Sequence, residues 1–236
     1  MQGIEVRGLV KSYGTLRALD GVDLTVPPGT LTALVGKNGA GKSTLIRTLA
    51  TTILPDEGTV RVGGFDVQEH PEQARRETGV FFGDERSFYW RLSGRENLRF
   101  FAALQGIRRR DVDRAVTAAL ASVDLLDVGD RRVDRYSSGM RARLGLARAL
   151  LGGPSVLLLD EPTKSIDPVT AADIRAHVTR IRSEANIAVL FATHDLHEAA
   201  SLADEDVILA NGRVAAVVPG GGETSALERV LIEANR

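Results

Sequence analysis

Apolar and polar side chains alternate over residues 4–9, Ile4-Glu5-Val6-Arg7-Gly8-Leu9, and again over 22–26, Val22-Asp23-Leu24-Thr25-Val26. A period of two sends successive side chains to opposite faces, so both runs are predicted as strands. Leu31-Thr32-Ala33-Leu34-Val35 is mostly apolar instead, as in a buried strand. Similar runs occur at 156–159 and 187–192, with shorter strands predicted at 59–62 and 79–82. Elsewhere the spacing is helical. Residues 43–52, 141–151, 172–183 and 197–203 are predicted helices. Residues 94–126, with Val112, Val116, Ala119, Leu120 and Val123 in step, are a predicted helical block. A strand pair at 206–210 and 213–218 turns around Asn211-Gly212, and a small helix is expected over 224–235 after the break at Gly220-Gly221-Gly222.

Apolar strands alternating with helices predict an α/β fold with a mainly parallel sheet. The early alternating strands suggest an antiparallel β appendage, and the block from 94 an inserted α-helical part. No repeat or low-complexity segment interrupts the chain.

Composition adds exclusions. The 236 residues carry 30 Lys+Arg against 31 Asp+Glu, a net charge of −1, so nothing points to nucleic acid as a partner. There is no cysteine, hence no disulfide, thiolate metal site or cysteine nucleophile. The N-terminus has no apolar signal core, and no apolar run approaches the ~18–20 residues of a membrane-spanning helix. A cytoplasmic protein is expected, held by something else if it acts at a membrane. Only Lys11, Lys37, Lys42 and Lys164 are lysines.

Gly36-Lys37-Asn38-Gly39-Ala40-Gly41-Lys42-Ser43, followed by Thr44, matches the phosphate-loop pattern G-x-x-x-x-G-K-[ST], with a predicted strand before it and a predicted helix after it. Glycines let the backbone N–H groups curl around phosphate oxygens, and the helix start adds its positive dipole end. Lys42 is placed to reach the β- and γ-phosphates and the Ser43 hydroxyl to ligate Mg²⁺. By itself the loop does not choose among kinase, GTPase and ATPase.

The apolar run 156–159 delivers Asp160 and Glu161. An aspartate at such a strand end can hold Mg²⁺, often through water. By strand alternation Glu161 is expected to aim elsewhere, at a water in line with the γ-phosphate, as general base or water orienter.

With both motifs the chain resembles the nucleotide-binding domain of the ATP-binding cassette (ABC) transporters, over residues 4–218. The implied fold is a P-loop NTPase core with an antiparallel β subdomain and an inserted helical subdomain: one ABC ATPase domain. Its expected parts are residues 1–87 and 152–218 as catalytic core, 88–151 as helical subdomain and 219–236 as a C-terminal tail.

Tyr136-Ser137-Ser138-Gly139-Met140 is similar to the family's signature, usually written L-S-G-G-Q. The resemblance implies that Ser137, Ser138 and Gly139 bind the γ-phosphate held by an opposite subunit. It also implies that Asp167, in Ser165-Ile166-Asp167, joins two subunits across the nucleotide. His194 becomes the switch histidine contacting the γ-phosphate, and Tyr13 the aromatic that stacks on adenine. A metal pair of His194 with His197 is the poorer reading, because no further nitrogen or sulfur ligand completes it.

The family's usual glutamine falls at Asp84, which is expected to keep its Mg²⁺ contact. Glu85 is the less favoured substitute. Phe88-Tyr89-Trp90 follows, near the groove that in relatives receives a membrane subunit's helix.

The implied protein is an Mg²⁺-dependent ATPase that closes on ATP as a dimer with a second copy or a homologue. It would drive transport, in the export direction, through separate integral membrane subunits on the inner face of the cell membrane. The alternatives are a soluble ABC ATPase acting on nucleic acid or ribosomes, and a P-loop small-molecule kinase. The cargo is not written in this chain.

Overall fold

Residue parity along the strands decides which of two cores each side chain joins. The computed structural model describes residues 2–82, 88–164 and 166–234. Strands β1 (Ile4–Tyr13), β2 (Leu16–Val26), β4 (Glu57–Val62) and β5 (Phe65–Asp66) form an antiparallel sheet in the order β2-β1-β4-β5. Strands β3 (Leu31–Val35), β6 (Thr78–Phe81), β7 (Val156–Asp160), β8 (Ala188–Thr193), β9 (Glu205–Ala210) and β10 (Arg213–Pro219) form a second sheet. Its order is β10-β9-β3-β8-β7-β6, parallel except that β10 runs antiparallel to β9.

Both faces of the second sheet are covered, which is why β3, β7 and β8 read as mostly apolar runs. Leu31, Ala33, Val35, Leu157, Leu159, Val189 and Phe191 share a core with Leu98, Leu120, Val133, Leu146 and Ile174 from the helices. Leu34, Leu158, Leu190 and Leu209 face the other way. They pack with Leu45, Ile46 and Leu49 of α1 (Lys42–Leu49) and with Ile4, Val6 and Val60 of the antiparallel sheet.

The remaining helices are α2 (Pro71–Arg76), α3 (Gly94–Leu104), α4 (Arg109–Ala121), α5 (Ser138–Ala149), α6 (Pro168–Ala185), α7 (Leu196–Leu202) and α8 (Thr224–Ala234). The predicted block 94–126 is therefore two helices, broken at Gly106, whose positive φ of 73° suits a residue without Cβ. Ser93 opens α3: its Oγ accepts from the Glu96 N–H at 3.1 Å, while the Glu96 carboxylate accepts from the Ser93 N–H at 2.7 Å. α1 stops at Leu49, short of the predicted 52, and the small elements β5 and α2 were not anticipated.

Polar contacts fix the helical segment against α6. Asp124, just after α4, lies 3.2 Å from both His177 Nε2 and an Arg180 guanidinium nitrogen, and Arg143 of α5 lies 3.3 Å from Asp173. The Arg180 hydrogen bond holds the Asp124 carboxyl below its ordinary range.

Asp206 on β9 is fully buried, and neither carboxylate oxygen has a hydrogen-bond partner among the described residues. Burial, helped by Glu205, pushes its pKa from 3.8 to about 6. The folded state therefore holds a proton that the unfolded chain has released between those values, so Asp206 lowers stability as pH rises through that window. Asp206→Val removes the effect. The difference in unfolding free energy, variant minus wild type, is expected to widen by ~3 kcal/mol between about pH 4 and about pH 7, at ~1.4 kcal/mol per pKa unit. Denaturant titrations across that range measure it, and a flat difference contradicts the assignment.

Candidate functional site

The loop between β3 and α1 is closed in around Gly36 and Gly41. A Cβ on Gly36 would meet Leu209 O at 2.4 Å, and Gly41, with φ 109°, would bring one to 2.6 Å from Ala18 O. Gly41 is the N-cap of α1, no side chain caps that helix, and its first turn has no acidic residue. Amides at a helix start without such a partner form a ready site for an anion.

The Lys42 side chain folds back under this loop. It is 6% exposed, and its ammonium donates to Gly36 O at 2.5 Å and to Lys37 O at 3.1 Å. Burial lowers its pKa, against the pull of Glu161 and Asp160. A cation gathered with uncapped helix amides is the environment a triphosphate needs, so the residues present fit one.

Ser43 Oγ and Asp160 Oδ1 lie 3.4 Å apart. Neighbouring oxygens around Mg²⁺, with bonds of ~2.0–2.1 Å, stand about 3 Å apart, so the pair suits one hard cation. Among the described residues no group of three or more His, Cys, Asp or Glu side chains could hold a metal. Asp84 and Glu85 lie outside the described residues.

Glu161 corrects the expectation from strand alternation. It stands just past β7 with φ 49°, and its N–H donates to Ala192 O at 2.9 Å. A left-handed turn hooked onto β8 therefore aims the side chain. Glu161 Oε1 is 3.1 Å from His194 Nδ1, and Oε2 pairs with Lys164. Burial raises the Glu161 pKa, but the hydrogen bonds and charges of Lys164 and His194 more than offset it, and the carboxyl sits below its ordinary value. His194 and His197 face different groups, since His197 Nδ1 lies 3.2 Å from Thr224 Oγ1.

Lys42, Ser43, Asp160, Glu161 and His194 thus form one cluster. Ser137, Ser138 and Gly139 stand at another helix end. Ser137 is the N-cap of α5, its Oγ accepting from the Met140 N–H at 3.2 Å. Asp167 is the N-cap of α6, with Pro168 next and the Thr170 N–H donating at 3.0 Å, so this aspartate is a helix start. The two starts adjoin, because a Cβ on Gly139 would lie 3.2 Å from Thr170 Oγ1. Among the described residues no side-chain hydrogen bond or ion pair joins Ser137, Ser138 or Asp167 to the loop at 36–44.

Tyr13 ends β1, 47% exposed, with the Lys11 ammonium 5.8 Å from its ring centre. β2 of the same hairpin carries Ala18, which touches Gly41. Two residues beside the site carry no functional signal in the sequence: Lys164, legible only as one of four lysines, and Glu198, 3% exposed.

These features define a nucleoside-triphosphate-binding α/β protein. The family model for ABC transporters matches residues 19–164. The daunorubicin/doxorubicin resistance ATP-binding protein DrrA of Streptomyces peucetius is 40% identical over 96% of this chain and 68% of its own length. The ABC transporter ATP-binding protein NatA of Bacillus subtilis is 32% identical over 84% of this chain and 80% of its own. Among solved structures, the ADP conformation of MJ1267, an ATP-binding cassette of an ABC transporter, superposes with a TM-score of 0.86 at 25% identity, covering 98% of that protein and 99% of this one. The chain belongs to the ABC transporter family, as an ATP-binding and ATP-hydrolysing subunit.

Proposed function

We propose that the chain powers an exporter whose membrane path lies in separate subunits, and that it works as half of a two-subunit ATP sandwich. The observation carrying this is the split site. One helix start, with Lys42, Ser43, Asp160, Glu161 and His194, is laid out for Mg-ATP, while Ser137, Ser138 and Gly139 offer a second anion-binding start that no side-chain bond among the described residues joins to the first.

The amides of Gly36, Lys37, Asn38, Gly39, Ala40, Gly41, Lys42, Ser43 and Thr44 cradle the phosphates, and Tyr13 stacks on adenine. Ser43 and Asp160, with Asp84, hold Mg²⁺, which when bound neutralises charge on the transferring phosphoryl oxygens. Glu161 orients the attacking water and takes its proton, and His194 steadies Glu161 and the γ-phosphate. Ser137, Ser138 and Gly139 serve the partner's nucleotide, with Asp167 at the junction. The whole chain acts as one ABC ATPase unit, residues 1–87 and 152–218 supplying the catalysis, 88–151 the signature and 219–236 a tail. Likeness to a drug-resistance protein supports the outward direction.

No helix among the described residues is long and apolar enough to cross a membrane, so we assign membrane attachment to a partner. A groove of about 1440 Å³ beside α2, α3 and α4 combines Phe82, Phe101 and Leu104 with Arg75, Arg108 and Arg114. Tyr89 packs edge-on against Phe100 at 4.9 Å, and Trp90, 46% exposed, lies over the Arg141 guanidinium of α5 at 5.4 Å. A partner docked on these aromatics would bear on the signature helix itself. Trp90→Ala is expected to keep the fold and lose co-fractionation with the co-expressed membrane subunits. Undiminished co-fractionation would refute this docking surface.

A further inference from the structure

A buried carboxylate outside the groups assigned above spans the two loops that carry Glu161 and His194. Glu198 lies on α7. Its Oε1 accepts from Thr163 Oγ1 at 2.6 Å and its Oε2 from Thr193 Oγ1 at 2.7 Å. Thr163 is two residues beyond Glu161, and Thr193 immediately precedes His194. Thr193 Oγ1 also accepts the Asp195 N–H at 3.0 Å, and the Asp195 carboxylate accepts from the His197 and Glu198 N–H groups at 2.9 and 3.2 Å. On the other side the Lys164 N–H donates to Glu161 O at 3.1 Å. The bonds close a ring: Glu161 to His194 directly, and back through Thr193, Glu198 and Thr163.

We propose that Glu198 is a positioning residue for ATP hydrolysis, clamping Thr163 to Thr193 so that the Glu161 carboxylate and the His194 ring keep their register. This rests on the roles given to Glu161 and His194. An ionised carboxylate only accepts hydrogen bonds, and each Glu198 oxygen takes one from a threonine hydroxyl in a water-poor setting, where such bonds are strong and directional. Among the described residues, the other ties between the two loops near the catalytic pair are the Glu161 N–H to Ala192 O bond and the Glu161–His194 contact itself. A general base displaced by an ångström loses much of its effect, so the clamp acts on turnover rather than on nucleotide affinity.

The test replaces the network by apolar groups of similar shape, Glu198→Leu with Thr163→Val and Thr193→Val, which frees only the Asp195 N–H, on an exposed residue that water can reach. The expected variant melts near the wild-type temperature and keeps KM for ATP. Its kcat falls at least tenfold, and its Glu161 amide exchanges with solvent faster in nucleotide-free protein. Thr163→Ser with Thr193→Ser, which retains both hydroxyls, keeps kcat. A folded triple variant with wild-type kcat and amide exchange overturns the clamp. If the triple variant does not fold, Thr163→Val alone decides: a lower kcat at unchanged KM supports the clamp, and unchanged kcat overturns it. Glu161→Gln runs alongside, because turnover surviving in that variant removes the role of Glu161 itself and so separates that failure from a failure of the clamp.

Discussion

Glu161→Gln is expected to bind ATP and to hydrolyse it ~10²–10⁴-fold more slowly than the wild type, the range general-base catalysis supplies. Glutamine has nearly the shape of glutamate and keeps an oxygen for His194, which lies 3.1 Å away. What it lacks is the charge that takes up a proton. In the structure that charge is held by Lys164 on one oxygen and His194 on the other, and the carboxyl sits below its usual range. Lys164 is the more exposed of the two contacts and the easier to displace. Phosphate release under saturating Mg-ATP gives the rate, and ATP-dependent thermal stabilisation shows that binding survives. Turnover near the wild-type rate would remove Glu161 from the role assigned to it.

Lys42→Met separates stability from function. The ammonium is buried, and the loss of water around it is the largest influence on its pKa, outweighing the attraction of Glu161 and Asp160. The charge is therefore disfavoured in the folded protein and is present for its ligand. Methionine fills a similar volume without charge. The nucleotide-free variant should melt at or above the wild-type temperature while losing the rise in melting temperature that ATP confers, which reports binding to the native state alone. Losing charge-assisted bonds of ~1.5–3 kcal/mol each weakens ATP binding by at least about tenfold. Thermal shifts over an ATP titration measure both effects. An undiminished ATP shift would contradict the assignment.

The parts of the site legible in the sequence are those whose chemistry is local. The loop at 36–44 declares itself through glycine spacing and the lysine-serine pair, and Asp160 through the apolar run that ends on it. The burial of β3, β7 and β8 on both faces is legible too, since the runs are mostly apolar, but which residues face which core is not. Glu161 was legible as a residue and not as a direction, because its left-handed turn depends on a bond to β8, far away in sequence. Asp167 carries a local signal as well, since an aspartate before proline suits a helix start. Tyr13 and the serine-glycine run took their meaning from family resemblance, and Asp84 lies outside the described residues. Glu198 is hidden for a tertiary reason, since an acid four residues after a histidine reaches Thr163 only when β7 and β8 lie side by side. Lys164 pairs locally, three residues after Glu161, and depends on the turn that the chain takes there.

The split site makes one demand that a self-contained ATPase does not. On the proposed reading, the loop at 36–44 needs a second chain to bring Ser137, Ser138 and Gly139 to its nucleotide. Light scattering of purified Glu161→Gln, which holds ATP without consuming it, measures this directly. With Mg-ATP the variant should have the mass of two chains, and without nucleotide the mass of one. A single-chain mass at saturating Mg-ATP, with the nucleotide shown to be bound, would contradict the two-subunit site.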